Sequence, residues 1–451
     1  MPAVSELSQA FLGQILEPSD PGYDTARKVH NGLIDKRPAV IARCRGLADI
    51  ADAVRYAQAH KLEISVKGGG HNVAGRAVCD NGLMIDLSLM KSIHINAQFK
   101  IAVVEGGVLW KEFNREAQLH GLAVTGGVVG TTGVAGLTLG GGFGWLMPKY
   151  GMALDNLLAV NLVLADGSVV RASESEHPDL FWAVRGGGGN FGVAGSFEFK
   201  LHKVGPMVMG GVMAFPVPEA RQVLRAWRDM AATAPDELML VSVLRGAPDG
   251  SGHKIVAVAA CHCGATKDAE AVFAKIATFG TVIMNAMGPI PYSTLNGMLD
   301  GDYPAGGFDY WKSSFMPAMS DAAIDIMIEA YQRCPAPKSS ILVEHFHGAA
   351  TRVPLEATAL TLREPGFNTL VLGHWMEPAQ GGATTAWARD SFAALQPHFG
   401  QRRYVNYLSA DDAAEAATLA AYGTNLPRLR SIKKQYDPQN VFHLNQNILP
   451  A

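Results

Sequence analysis

The sequence predicts an α+β protein built in two parts, and three observations carry that prediction. Glycine makes up 49 of 451 residues, about 11% against ~7% on average, and roughly half of it falls between Gly68 and Gly195. Between the glycine bursts, KGGGHNVAG (67–75), TGGVVGTTGVAGLTLGGGFGW (125–145) and RGGGGNFGVAG (185–195), strand and helix patterns alternate. After about residue 205 the bursts stop, and apolar strand-like runs alternate with amphipathic helices, the pattern of a largely antiparallel sheet with helices on it.

The elements follow in order. IAVVEGGV (101–108) reads as a buried strand, and LWKEFNREAQLHG (109–121) as an amphipathic helix stopped by Gly121. NLLAVNLVLADGSVVRAS (156–173) reads as two strands around Asp166-Gly167, a strong hairpin signal. In the second part, helices are predicted at 218–234, 266–279, 320–334 and 384–399, between strands such as SSILVEHFHG and NTLVLGHWME. GMLDGDYPAGGFDYWKSSF (297–315) carries enough Gly, Asp and Pro to read as a loop or lid bearing aromatics. The last segment reads as a strand around Arg403–Tyr407, a long helical stretch and an Asn-rich tail.

Composition narrows the function. A net charge of −3 gives no reason to expect nucleic acid or an anionic membrane as partner. No run approaches the ~20 apolar residues of a membrane helix. The first residues carry no export signal, and five scattered cysteines point to a reducing cytoplasm rather than a disulfide framework. The expected partner is a small-molecule substrate, with oligomeric state left open. Three glycine bursts in one region suggest backbone nests for a pyrophosphate, hence a dinucleotide. The G-x-G-x-x-G match at Gly187–Gly192 is followed by the strand-like VAGSFEFKLHKV and not by a helix, which disfavours a Rossmann site. A P-loop motif is absent. His345-x-His347 with His374 on the next strand has ligand-compatible spacing, but such histidines are more often satisfied core or surface residues; Cys261-His262-Cys263 lacks a second pair, and no metal is expected.

VKGGGHNVAG (66–75), TTGVAGLTLGGGFGWLMPKYG (131–151), RGGGGNFGV (185–193) and YDPQNVFHLNQNI (436–448) together resemble the FAD-linked oxidases similar to berberine bridge enzyme, in the vanillyl alcohol oxidase superfamily. The resemblance covers nearly the whole chain in the right order. It implies a split FAD-binding domain of the vanillyl-alcohol-oxidase type (1–205 and 401–451) around an α+β substrate domain (206–400). It also implies that His71 carries the flavin through its 8α carbon. A second link through cysteine is not expected, because Val129 stands at the usual cysteine position. The cofactor contacts implied are Lys67, Gly68, Gly69, Gly70, Asn72 and Gly75 in the first burst. Gly127, Val128, Thr132, Gly133, Gly136, Gly141 and Gly142 follow in the second, and Val193, Asn406, Asn445 and Asn447 complete the set.

The resemblance also assigns chemistry. Tyr404, Asn406 and Tyr407 match the family's Y-x-N-Y motif, with Tyr407 as the base that takes the substrate's proton. A phenol's pKa of about 10 requires a neighbour that lowers it or accepts the proton in turn. The glutamate that serves as base on the 374 strand of some relatives is Gly373 here. Candidates for the neighbour lie on strand 340–347, where Glu344 alternates with His345 and His347, and at His374; His345 and His374 are put forward. Thr132, at the oxygen-gating position, favours dioxygen as acceptor. The predicted activity is hydride removal from a C–OH, C–N or C–H centre, with an aromatic alcohol first and a sugar or amine second. The alternatives are a dehydrogenase with another acceptor and a flavin-binding protein without catalysis.

Overall fold

The computed structural model of the chain describes residues 4–9, 11–412 and 414–451. Two larger sheets, with a two-stranded one of Leu122–Ala123 and His202–Lys203, form the first part. One has the order Gln14–Leu16, Val40–Arg43, Leu83–Asp86, Ile64–Lys67 and is parallel except at the Gln14–Leu16 edge. The other is antiparallel: Ile93–Asn96, Ile101–Glu105, Val193–Lys200, Leu157–Val163, Val169–Ser173. The hairpin at Asp166-Gly167 forms as its sequence predicts, with Gly167 at φ 78°. Helix Leu47–Ala59 buries Ile50, Ala53, Val54 and Ala57, one helical stripe, beside the parallel strands.

An eight-stranded antiparallel sheet dominates the second part. Its order places Ser340–Phe346 beside Gly366–Trp375, with Phe308–Met316 at the edge. Helices Ala220–Ala231, Asp321–Gln332 and Gly381–Leu395 cover one face, burying Trp227, Met327 and Trp387 in a single core. The C-terminal helices then return: Ala417, Ala421, Leu429 and Ile432 share a core with Val104, Phe113, Leu162 and Phe197. A further cluster joins the parts, with Phe143, Trp145 and Met147 against Val241, Cys261, Phe346 and Tyr404.

Two expectations are corrected. Residues 308–315, read as part of a loop, belong to strand Phe308–Met316, paired over nine positions with Gly366–Trp375; the Gly and Pro residues and all the Asp except Asp309 lie in 297–307, which does remain irregular. The strand expected around Arg403–Tyr407 is absent, and Val405–Tyr407 is a 3-10 turn. Alternation no longer separates its side chains, so Val405, Asn406 and Tyr407 all reach the same cavity.

Candidate active site

A large cavity runs between the glycine-rich loops and the uncovered face of the eight-stranded sheet. The loops approach each other closely. A Cβ on Gly69 would stand 2.3 Å from the Gly133 nitrogen, and one on Gly133 would stand 2.4 Å from the Gly69 nitrogen. Only glycine permits that contact. Beside it, Gly136 on helix Val134–Gly140 faces open space within the cavity wall. Strand Val193–Lys200, not a helix, follows the third burst.

Most residues assigned to the cofactor line this cavity: Gly68, Gly69, Gly70, His71 and Asn72; Gly127, Val128, Thr132, Gly133 and Gly136; and Val193, Asn406 and Asn445. The others lie behind the wall. Lys67 Nζ pairs with Asp86 at 3.2 Å. The carbonyl of Gly75 accepts from Lys36 Nζ, and that of Asn447 accepts from Thr418 Oγ1. Gly141 ends the helix, and Gly142 N–H donates to the Tyr404 hydroxyl at 2.7 Å. Arg76 is the one Lys or Arg side chain in the described wall, and its guanidinium meets carbonyls of Leu444 and Asn445 instead of a carboxylate. Neutral glycine loops and one cation without an anionic partner fit an anionic dinucleotide.

His71 sits where the loops meet. Its Nε2 lies 2.8 Å from Thr131 Oγ1 and its Nδ1 lies 3.4 Å from Thr132 Oγ1. Burial, then the neighbouring His30, pushes its pKa down to about 3, so the ring is neutral at physiological pH. Val129, at the cysteine position, also lines the cavity.

The other end of the cavity is apolar and aromatic. Leu342 and Glu344 share a face of strand Ser340–Phe346, opposite Leu370 and Asn368 in register. Tyr303 and Trp311 complete that wall with Tyr407. Tyr407 donates to Glu344 Oε1 at 3.4 Å, and Asn368 Nδ2 donates to Glu344 Oε2 at 2.7 Å. Burial raises the Glu344 carboxyl to about 7 against the opposing pull of these two donors. Burial and the Glu344 carboxylate both push Tyr407 well above 10, so no neighbour activates it as a phenolate.

The remaining predicted catalytic residues lie outside the cavity. Tyr404 is buried, stacks on Phe143 at 4.3 Å and accepts from Asn406 Nδ2, which places it behind the motif's Asn and Tyr. His345 points to the opposite sheet face and stacks on His347 and Phe367. His374 is fully buried, with Nδ1 2.8 Å from Asp309 and its ring behind Tyr303. Glu344 was visible in the sequence only as one of several neighbours. Its alternation with His345 separates the two, but without the sheet the side facing the site is undefined. Among the described residues no group of three or more His, Cys, Asp or Glu could hold a metal ion, and no helix is long and apolar enough to cross a membrane.

A family model described as an FAD binding domain matches residues 38–173, and one described as berberine and berberine-like matches 403–449. The chain is 33% identical to (R)-6-hydroxynicotine oxidase of Paenarthrobacter nicotinovorans, over 98% of this chain and 97% of that protein. It is 28% identical to an FAD-linked oxidoreductase of Dictyostelium discoideum, over 99% and 97%. Among solved structures it resembles 6-hydroxy-D-nicotine oxidase from Arthrobacter nicotinovorans with TM-score 0.87, 30% identity and 98% of each chain covered. A chitooligosaccharide oxidase shares the fold with TM-score 0.87 at 22% identity, over 99% of each chain. Fold and site therefore define an FAD-linked oxidoreductase. The chain belongs to the family of FAD-linked oxidases similar to berberine bridge enzyme.

Proposed function

We propose that the protein is an FAD-dependent oxidase of a small, largely apolar amine, with the flavin attached once, through His71, and dioxygen as acceptor. FAD bound in the cavity would supply a two-electron acceptor for hydride from the carbon next to nitrogen, with dioxygen as the final acceptor and hydrogen peroxide as its product. The observation that carries the substrate class is Glu344, a carboxyl at about 7, with Tyr407 in a wall otherwise made of Leu299, Leu342, Leu370, Leu372, Tyr303 and Trp311. An amine donates hydride only when its nitrogen is neutral. Glu344, half ionised near neutrality, accepts the ammonium proton, and the Tyr407 hydroxyl orients that carboxylate.

A sugar needs several polar partners at once, and this wall offers few. The relative named for (R)-6-hydroxynicotine, which bears a cyclic amine, supports the same class. Thr132 in the cavity wall supports oxygen access, and five free thiols are in keeping with a reducing cytoplasm. The test is anaerobic mixing with 6-hydroxynicotine enantiomers, benzylic alcohols and glucose while the flavin absorbance is followed. Amines should bleach the flavin, and air should restore it with release of peroxide. Bleaching by glucose and not by amines would overturn the reading.

A further inference from the structure

We propose that His30 is a positioning residue for covalent flavin attachment: its ring holds the His71 imidazole in the plane from which a ring nitrogen bonds the flavin carbon. The two rings stack with centroids 3.9 Å apart and planes inclined by 22°. Among the described residues the His30 ring has no hydrogen-bond partner, so its placement comes from its backbone. Its N–H donates to the Gly70 carbonyl at 3.0 Å, one residue before His71, and its carbonyl accepts from Gly306 N–H at 2.9 Å. His30 is thus fixed between the first glycine loop and the 297–307 loop of the second part.

The two threonine hydroxyls fix where the His71 nitrogens point within the ring plane. They leave the tilt of that plane free, and the stacked ring removes this freedom. Burial also lowers the pKa of His30, against the pull of Asp309, so the stack joins two neutral rings. A neutral nucleophile with fixed orientation is what the attachment needs. In that attachment an imidazole nitrogen–carbon bond forms, one methyl C–H bond and the imidazole N–H are lost, and the released two electrons and two protons pass to dioxygen as hydrogen peroxide.

The inference rests on the His71 linkage proposed above, and the test separates the two. Wild type, H30A, H30F and H71A are produced under riboflavin limitation and incubated with FAD in air. Flavin that stays with acid-precipitated protein is followed over time, and acid-released flavin gives the non-covalently bound share. H30A should bind FAD yet attach it more slowly by up to about 10-fold, the upper end of what a stacking contact is worth. H30F, which keeps a ring, should attach it within about 3-fold of wild type, and H71A should attach none. If H30A does not fold, H30N takes its place with the same expectation. Attachment by H30A at the wild-type rate, or equal failure of H30A and H30F with FAD bound, would overturn the role of His30 alone. A wild type that attaches no flavin would overturn both readings.

Discussion

Gly69 and Gly136 lie close together in the cavity wall, yet an added methyl group should act on them in opposite ways. At Gly69 the new Cβ would lie 2.3 Å from the Gly133 nitrogen and 2.6 Å from its Cα. An ordinary contact needs about 3.5 Å, so the two loops must part by about 1 Å. Both atoms belong to backbone and cannot rotate away, and overpacking of this kind costs about 1–3 kcal/mol. At Gly136 the new Cβ meets nothing within 4 Å, because it enters the cavity. There the helix Val134–Gly140 gains about 0.5–1 kcal/mol from alanine. The assay uses H71A as background, so that FAD can be removed and returned, and reads thermal unfolding without FAD beside FAD affinity. G69A should lower the melting temperature by several degrees and also weaken FAD. G136A should leave the melting temperature unchanged or higher while weakening FAD by at least about 10-fold. G136A binding FAD as tightly as its parent would refute the placement of the cofactor against this helix.

Other consequences concern the frame around the site. Asp155 and Arg363 form a buried bidentate ion pair at 2.8 and 2.9 Å, so D155A should destabilise the protein by about 3–5 kcal/mol in denaturant titration. His345 is neutral in the fold, its pKa pushed down to about 3 by burial and then by His347, whereas an unfolded histidine titrates near 6.5. Between those values the unfolded chain binds the extra proton. The stability that neutral His345 contributes is therefore present above about pH 6.5 and lost as pH falls, with a slope approaching about 1.4 kcal/mol per pH unit. H345F should flatten this acid limb in thermal melts from pH 7 to 4, and an unchanged limb would refute its assignment to His345.

The glycine-rich half of the cavity was legible in the sequence because glycine there has a direct steric cause: Gly68, Gly69 and Gly133 meet backbone where a Cβ would clash, and Gly70 takes φ 70°. The substrate half was less legible. Alternation along ILVEHFHG separates Glu344 from His345 and His347, but only pairing with Gly366–Trp375 decides which side faces the cavity. His374 shares the cavity's sheet face, and Tyr303 from a remote loop covers it. The Tyr404–Tyr407 motif read as a strand because its residues alternate. Tertiary hydrogen bonds, Asn406 Nδ2 to the Leu137 carbonyl and Gly142 N–H to the Tyr404 hydroxyl, turn it into a 3-10 turn instead. The contact between His30 and His71 joins residues 41 positions apart and has no local signature at all.

The role of Glu344 is tested most directly by the pH dependence of anaerobic flavin reduction, measured by stopped flow with the amine that bleaches the wild type. With Glu344 titrating at about 7 in the free enzyme, the second-order rate of reduction should rise with pH through that value in the wild type. Y407F should keep the limb at reduced rate, and E344Q should lose the limb and most of the rate at pH 7. A wild-type limb that persists in E344Q at undiminished rate would contradict the assignment of Glu344 as the proton acceptor.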